Sequence, residues 1–284
     1  MSWFAGIDIG SVNTKIALFR DGSPPHFHMI QSGANYRVAA EKALDEALGK
    51  AGLSRNDIVA IMATGSGAPR VDFGTDQLSD ISCSARGVHS FFPSVRTVID
   101  VGGQASRAIR VNDEGRAINF AVSERCAAGS GRFLQIIARV LQIDIKDAGT
   151  ISLKSSNPII YTTGCAVFGE SEAVSRVAEG TPKEDILAGV QNAIASKIAN
   201  LIDRVGMEKD CAMVGGGALD IGLVKRTEER LGITLLVPEN PQLMAAFGAA
   251  LYAREVIPNN SKNSSKLPRG ATSPLKPIFP TAGR

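Results

Sequence analysis

Several things are scarce in this 284-residue chain, and each scarcity closes a class of function. Phe, Trp and Tyr make up 5% of the residues, too few for the stacked aromatic platform that binds single-stranded nucleic acids. An excess of either charge is missing too: the formal net charge is +3, well short of the basic footprint of a nucleic-acid binder. No apolar run approaches the roughly 18 residues that would cross a bilayer. The chain opens Met1-Ser-Trp-Phe-Ala5 and passes directly into a strand pattern, without the basic and apolar regions of a secretory signal. The cytoplasm is therefore the expected compartment, and neither nucleic acid nor membrane is an expected partner. Cysteine is limited to Cys83, Cys126, Cys165 and Cys211 with no Cys-x-x-Cys pair, which excludes zinc and ferredoxin spacings within one chain. A hydrophobic fraction of 44% beside 21% charged residues still allows about two domains with cores of their own.

What is present is a repeat. Ala5-Gly-Ile-Asp-Ile-Gly-Ser-Val-Asn-Thr-Lys-Ile-Ala-Leu-Phe-Arg-Asp-Gly22 and Thr97-Val-Ile-Asp-Val-Gly-Gly-Gln-Ala-Ser-Arg-Ala-Ile-Arg-Val-Asn-Asp-Glu-Gly115 begin 92 residues apart and follow one plan. Each is an apolar strand ending in Asp-x-Gly, a turn of small residues, an alternating strand and a polar turn closed by Gly. Such a hairpin offers backbone N–H groups to phosphate oxygens, because Gly10, Gly102 and Gly103 carry no side chain to block close approach. Asp8 and Asp100 then sit at the strand ends, where carboxylates can hold Mg²⁺ or its waters. A pair of ordinary hairpins is the plainer reading, which the matched flanking pattern disfavours.

The periodicity predicts a helix over 38–51 stopped by Gly52, a buried strand Ile58-Val-Ala-Ile-Met-Ala-Thr64 running into Gly65, and a helical stretch over 76–90. An amphipathic helix follows over 129–143 and a longer one over 183–205; Lys225-Arg-Thr-Glu-Glu-Arg230 reads as the solvated face of another. Cys211-Ala-Met-Val214 is a short strand that breaks into Gly215, Gly216 and Gly217. Three glycines between strand and helix let backbone lie flat against a planar ligand beside a helix N-terminus that favours phosphate, although a tight turn explains them equally simply. A final Ala-rich helix is expected over 241–256. Beyond it the Pro, Ser, Asn and Lys content of 257–284 predicts a disordered tail. This order of elements implies an α/β protein of two related halves with ligand in the cleft between them.

Cys126 and Cys165 share a setting, in Arg125-Cys-Ala-Ala-Gly-Ser-Gly-Arg-Phe-Leu134 and Thr163-Gly-Cys-Ala-Val-Phe-Gly-Glu170: each stands among small residues at the start of a predicted helix. A helix N-terminus lowers a thiol pKa and favours a negatively charged cluster beside it. Two thiolates per chain are half of a four-cysteine iron–sulfur site, which a dimer could complete on its axis. Buried, inert thiols are the alternative for these two and the reading adopted for Cys83 and Cys211.

Asp8-Ile-Gly-Ser11, Asp100-Val-Gly-Gly103 and Gly215-Gly-Gly217 together resemble the actin, hexokinase and Hsp70 superfamily of ATPases. That resemblance implies ATP with Mg²⁺ between two ribonuclease H-like lobes, here 1–96 and 97–256. Glu124-Arg-Cys-Ala-Ala-Gly-Ser-Gly-Arg-Phe-Leu134, Gly164-Cys-Ala-Val-Phe-Gly-Glu-Ser-Glu172 and Val98-Ile-Asp-Val-Gly-Gly-Gln104 are similar to the ATPase family of 2-hydroxyacyl-CoA dehydratase activators and benzoyl-CoA reductase ATP-binding subunits. What this second resemblance implies is a 4Fe–4S cluster shared by two ATPase subunits, with Cys126 and Cys165 as this chain's ligands. It further implies an electron from ferredoxin or flavodoxin, and a CoA-thioester reductase or dehydratase component that receives it. Asp8 and Asp100 would serve the metal, and Gly10, Ser11, Val12, Asn13, Thr14, Gly102 and Gly103 the phosphates. Lys15 would be a counter-charge, Gln104 would orient water, and Gly215, Gly216 and Gly217 would meet the nucleoside.

One position departs from the family pattern. Dehydratase activators typically read Gly-Gly-Gln-Asp at the second turn, where this chain has Gly102-Gly-Gln-Ala105. With Ser106-Arg-Ala-Ile-Arg110 and Gly217-Ala-Leu-Asp-Ile-Gly-Leu223, this tilts the resemblance toward the smaller ATPase subunit of benzoyl-CoA reductase, with a homodimeric activator as the alternative. A sugar or metabolite kinase of the superfamily is more distant, since neither a base for a hydroxyl nor a substrate loop is evident; a nucleotide-dependent scaffold like the actin-like filament proteins is a further alternative.

Overall fold

The computed structural model describes residues 2–74, 76–123, 129–161 and 165–260. The two copies of the repeat build two sheets on one plan. In the first, β1 (Trp3–Ile9), β2 (Asn13–Phe19) and β3 (His26–Gln31) form an antiparallel meander; α1 (Tyr36–Ala51) follows, and β4 (Ile58–Thr64) and β5 (Asp76–Gln77) complete the order β3-β2-β1-β4-β5. After α2 (Asp80–Phe91), the meander recurs as β6 (Thr97–Val101), β7 (Ser106–Val111) and β8 (Ala117–Val122). Then α3 (Gly131–Val140), α4 (Ala148–Ser152), α5 (Ala166–Ala178) and α6 (Lys183–Val205) precede β9 (Cys211–Val214), which lies parallel to β6 in the order β8-β7-β6-β9. The helices α7 (Ile221–Leu231) and α8 (Met244–Asn260) follow.

Caps set the boundaries. The side chain of Asn35 accepts from the Val38 N–H, starting α1 just ahead of the predicted 38, and Gly52 ends it in the left-handed region at φ 66°. The stretch expected to be helical over 76–90 is split. Asp76 and Gln77 pair with Met62 and Ala63 as a short parallel strand, and the Ser79 hydroxyl accepts from the Ser82 N–H to cap α2. The helix expected over 129–143 is α3, capped by Ser130. The last helix begins at Met244 after a 3-10 turn, Pro241–Leu243, and continues through Asn260, past the expected end at 256. Residues 261–284 lie outside the described residues, as does Cys126. The edge strands β3 and β8 have no counterpart in the sequence reading, because their half-exposed, weakly alternating residues carry little period-2 signal.

Alternation along the two central strands decides what faces the site. Trp3, Ala5, Ile7 and Ile9 of β1 enter a core under α1, while Phe4 meets α8 on the opposite face. Ile99 and Val101 of β6 enter a core with α3, α5 and α6, while Val98 joins one shared with α2 and Met244 of α8. Asp8 and Asp100 belong to the Phe4 and Val98 series, so both emerge at strand ends on the side where α2 and α8 lie. Although it is the last of the described elements, α8 packs on β1, β2 and β4 of the first sheet as well as on α2. No helix among the described residues is long and apolar enough to cross a membrane.

Candidate active site

A cleft of about 520 Å³ opens between the two sheets. Asp8, Gly10, Ser11, Val12, Asn13 and Lys15 line it from the first repeat, and Asp100, Gly102, Gly103, Gln104 and Arg107 from the second. Gly215, Gly216 and Gly217 line it too, with Leu134 and Gln135 of α3 and Ile145 and Lys146 between α3 and α4. The motifs read separately in the sequence thus converge on one space.

The two repeats place equivalent chemistry in it. Asp8 lies opposite Lys15 across the first hairpin, and Asp100 lies opposite Arg107 across the second. Directly opposed residues share a face, so each carboxylate has a cation beside it. The Lys15 ammonium donates to Asp8 Oδ2 at 2.7 Å. Arg107 reaches Asp100 Oδ2 at 3.5 Å and donates to Asp80 Oδ2, in the first turn of α2, at 2.5 Å. The Ser84 hydroxyl donates to Asp100 at 3.2 Å. Burial pushes the Asp100 carboxyl above the usual carboxylate range, with Arg107 opposing the shift. The glycines that end the parallel neighbours also match. Gly65 after β4 and Gly215 after β9 have φ values of +87° and +82°, and a Cβ there would stand 2.4 Å from Asp8 Oδ1 and 2.6 Å from Asp100 Oδ1. Both positions need glycine for conformation and for space.

The turns are built alike. Gly10 N–H donates to Asn13 O at 3.1 Å, and Gly102 N–H donates to Ala105 O at 3.0 Å. Ala105 therefore contributes its carbonyl to the turn, a role independent of the side chain at that position. The tips approach each other across the cleft, since a Cβ on Gly103 would lie 2.6 Å from Val12 Cγ2. Among the nucleotide candidates Thr14 stands apart. It is fully buried, is not among the cleft-lining residues, and its hydroxyl bonds Ser32 Oγ at 2.9 Å, which in turn donates to Gly10 O at 2.6 Å. Thr14 is thus a strut under the first turn. Strand alternation sends it away from the face shared by Asn13 and Lys15.

Asp220 lines the cleft beyond the glycines and caps α7: its Oδ1 accepts from the Leu223 N–H and from Gln191 Nε2, both at 2.9 Å. Its Oδ2 and the Gln191 Oε1 are buried without a hydrogen bond among the described residues. Burial raises the Asp220 carboxyl, so the folded chain holds a proton that the unfolded chain releases near its ordinary pKa of about 3.9. Stability from this group is full below that value and is lost as pH rises through the raised native value. Asp220→Asn keeps the cap and offers an N–H₂ to Gln191 Oε1. We expect it to stabilise the fold by about 1 kcal/mol near neutral pH, with the gain shrinking in acid. Urea unfolding at about pH 5 and pH 8 would read this, and a difference independent of pH would contradict it.

Among the described residues no three Asp, Glu, His or Cys side chains gather closely enough to hold an ion alone. Mg²⁺ does not need such a cage, since it keeps its waters and binds one or two carboxylates plus phosphate oxygens. The oxygens of Asp8 and Asp100 fit that demand. Cys165 is the N-cap of α5 and half-buried, whereas Cys83 and Cys211 are buried, and burial pushes the Cys83 thiol up to about 12. Of the three described thiols, the one at an accessible helix start is Cys165, the one that the sequence reading expects to be a ligand. Ile160, Val167 and Phe168, close to it in sequence, are 83%, 69% and 68% exposed, an unusual apolar display.

Two repeated sheets around a cleft walled by paired hairpin turns define an ATPase of the actin and hexokinase class. A glucokinase from Streptomyces griseus, 13% identical with a TM-score of 0.55 over 89% of this chain and all of its own, shares that fold alone. Within the class, the chain belongs to the BadF/BadG/BcrA/BcrD ATPase family, whose pattern matches residues 5–253. It is 35% identical over 262 residues to the 2-hydroxyisocaproyl-CoA dehydratase activator of Clostridioides difficile, covering 92% of this chain and 98% of that one. The solved structure of such an activator from Clostridium difficile, with bound ADPNP, matches with a TM-score of 0.87, covering 93% of this chain and 99% of its own. Identity to a benzoyl-CoA reductase subunit of Thauera aromatica is 31% over 264 residues, covering 89% of this chain and 93% of that one.

Sequence reasoning missed Arg107, Asp80 and Gly65. The repeat itself held the signal for two of them, because Arg107 occupies in the second hairpin the register position that Lys15 has in the first, and Gly65 ends its strand as Gly215 does. Asp80 has no counterpart in the other repeat, and no pattern marked it.

Proposed function

We propose that this chain is the ATP-hydrolysing electron activator of a separate CoA-thioester dehydratase or reductase component. The observation that carries the proposal is Cys165, a half-buried residue at the N-cap position of α5 in a chain whose family is an ATPase family. In this reading the backbone N–H groups of Ser11 and Gly103 bind phosphate oxygens, in turns that the Gly10 and Gly102 N–H groups close, and Lys15 and Arg107 supply counter-charge. Asp8 and Asp100 hold Mg²⁺ or its waters, Gln104 orients the attacking water, and Gly215 to Gly217 lie against the nucleoside. Bound Mg²⁺ would neutralise charge that builds on the phosphates, so that catalysis rests on positioning and electrostatics.

The redox half of the reading assigns Cys126 and Cys165 to one 4Fe–4S cluster shared with a second ATPase chain. Such a cluster would take one electron from ferredoxin or flavodoxin and deliver it at lower potential to the catalytic component. The exposed apolar side chains close to Cys165 in sequence suit a surface covered by another chain. Between the two branches of the family we favour a dehydratase activator. Identity is 35% to the activator against 31% to the reductase subunit, and Ala105, which pointed the other way, shapes its turn through backbone alone. A cytoplasmic setting accords with this role.

Anaerobic purification tests the proposal. Iron and sulfide should amount to about one 4Fe–4S cluster per two chains. Cys165→Ser and Cys126→Ser should each abolish the cluster while ADPNP affinity stays within about threefold, because different elements make the two sites. A Cys165→Ser protein with its full complement of iron would refute the ligand assignment. A homodimer by sedimentation supports the activator branch, whereas co-purification of a second ATPase chain supports the reductase branch.

A further inference from the structure

We propose that the ring of Phe133 transmits the nucleotide state of the cleft to the helix that carries Cys165. The purpose of such a coupling rests on the activator reading, but its geometry is independent of any cluster. The first turn of α3 is pinned to the second phosphate turn: Gly131 N–H donates to Gly102 O at 3.0 Å, and the Ser130 hydroxyl donates to Gly103 O at 3.3 Å. Gly131, Leu134 and Gln135 line the cleft, so a nucleotide touches both the turn and the helix tied to it.

Phe133 is not among the lining residues, and only 1% of it is exposed. Its ring lies against the backbone of α5 at Gly169, where a Cβ would stand 2.6 Å from Cζ and 2.8 Å from Cε2. The Gly169 N–H donates to Cys165 O at 2.9 Å. One hydrogen bond therefore separates the residue that receives the ring from the predicted cluster ligand. Tyr161 backs the same ring edge-on, with centroids 5.5 Å apart at 71°, and its buried hydroxyl has no hydrogen bond among the described residues. Packing holds it there.

The buried residues of α5, Ala166, Gly169 and Ala173, are all small, and at Gly169 the large side chain against the backbone is Phe133. A close-packed contact between a rigid ring and backbone has no soft part to absorb a displacement. When phosphate binding shifts Gly102 and Gly103, α3 moves with them, and the ring drives the first turn of α5. Phe133 is thus a positioning residue: it touches neither nucleotide nor cluster.

Hydrogen exchange of the full chain, compared with Mg-ADP and with Mg-ADPNP bound, tests this. In the wild type, exchange over 166–173 should differ between the two nucleotides by about fivefold or more, the size of a modest coupling. Phe133→Leu should cut that difference to within about twofold, yet leave the difference at 129–134 in place and ADPNP affinity within about threefold. Phe133→Met, whose unbranched side chain adapts to an irregular space, serves if the leucine variant does not fold. An undiminished difference over 166–173 in the substituted protein overturns the proposal, as does a wild type with none. Iron-free wild-type protein would instead refute the activator reading while leaving this result to stand, so the two failures are distinguishable.

Discussion

Asp100→Asn is expected to slow ATP hydrolysis by about 10³-fold, equivalent to about 4 kcal/mol of transition-state stabilisation. The substitution is isosteric. Asn can still accept from the Ser84 hydroxyl, and Arg107 stays anchored on Asp80, so the hairpin should persist. What disappears is a charge that the fold buries at some cost, since desolvation already holds the Asp100 carboxyl above its usual range. A carboxylate kept in such a place beside the two hairpin turns, with its guanidinium partner mostly engaged elsewhere, is arranged for an incoming ligand rather than for stability. Nucleotide affinity should change far less, because the backbone of both turns and the cleft wall at Gly215 to Gly217 remain. Single-turnover phosphate release beside ADPNP titration separates the two effects. A hydrolysis rate within about tenfold of wild type would remove Asp100 from the reacting centre.

The parts of this site that a linear reading could see are those carried by the repeat. Asp8 and Asp100 interrupt otherwise apolar strands at matching places, so their exit into one cleft followed once alternation fixed the faces. Lys15 shares a face with Asp8 because the hairpin register sets the two directly opposite each other. Thr14 was swept in with the residues around it, although the same alternation buries it. The starts of helices were less legible. Ser79, not the apolar spacing, fixes where α2 begins, and the charge of Asp80 enters the site only because that cap turns the chain there. Which sheet a helix will cover has no period to announce it. The placement of α8 on the first sheet depends instead on close backbone approaches at glycines scattered from Gly6 to Gly248, which acquire meaning only once the chain is folded.

Those glycines underlie the second large effect. A Cβ on Gly248 would lie 1.8 Å from the Cys83 carbonyl oxygen of α2, and one on Gly87 would lie 2.0 Å from the Met244 carbonyl oxygen of α8. On the far side of α8, a Cβ on Gly6 of β1 would meet the Ala246 carbonyl oxygen at 1.9 Å. Every obstruction is backbone, so no rotamer change can relieve it, and the helices must separate or α8 must lift from the first sheet. Overpacking a core commonly costs about 1–3 kcal/mol, with some neighbours yielding. Here none can, and Gly248→Ala is expected to cost about 3 kcal/mol or more, a large share of the roughly 5–15 kcal/mol that holds a domain folded. Because α2 and α8 join the two sheets, the same change should disturb the cleft and weaken ADPNP binding in whatever fraction folds. Gly49 provides the contrast: it lies exposed in α1, and a methyl group added there would meet nothing within 4 Å, so Gly49→Ala should stabilise by about 0.5–1 kcal/mol through helix propensity. Urea unfolding of the two variants should therefore move the midpoint in opposite directions. A Gly248→Ala protein as stable as wild type would mean that the helices can part freely, and that the sheets are not fixed to each other through this crossing.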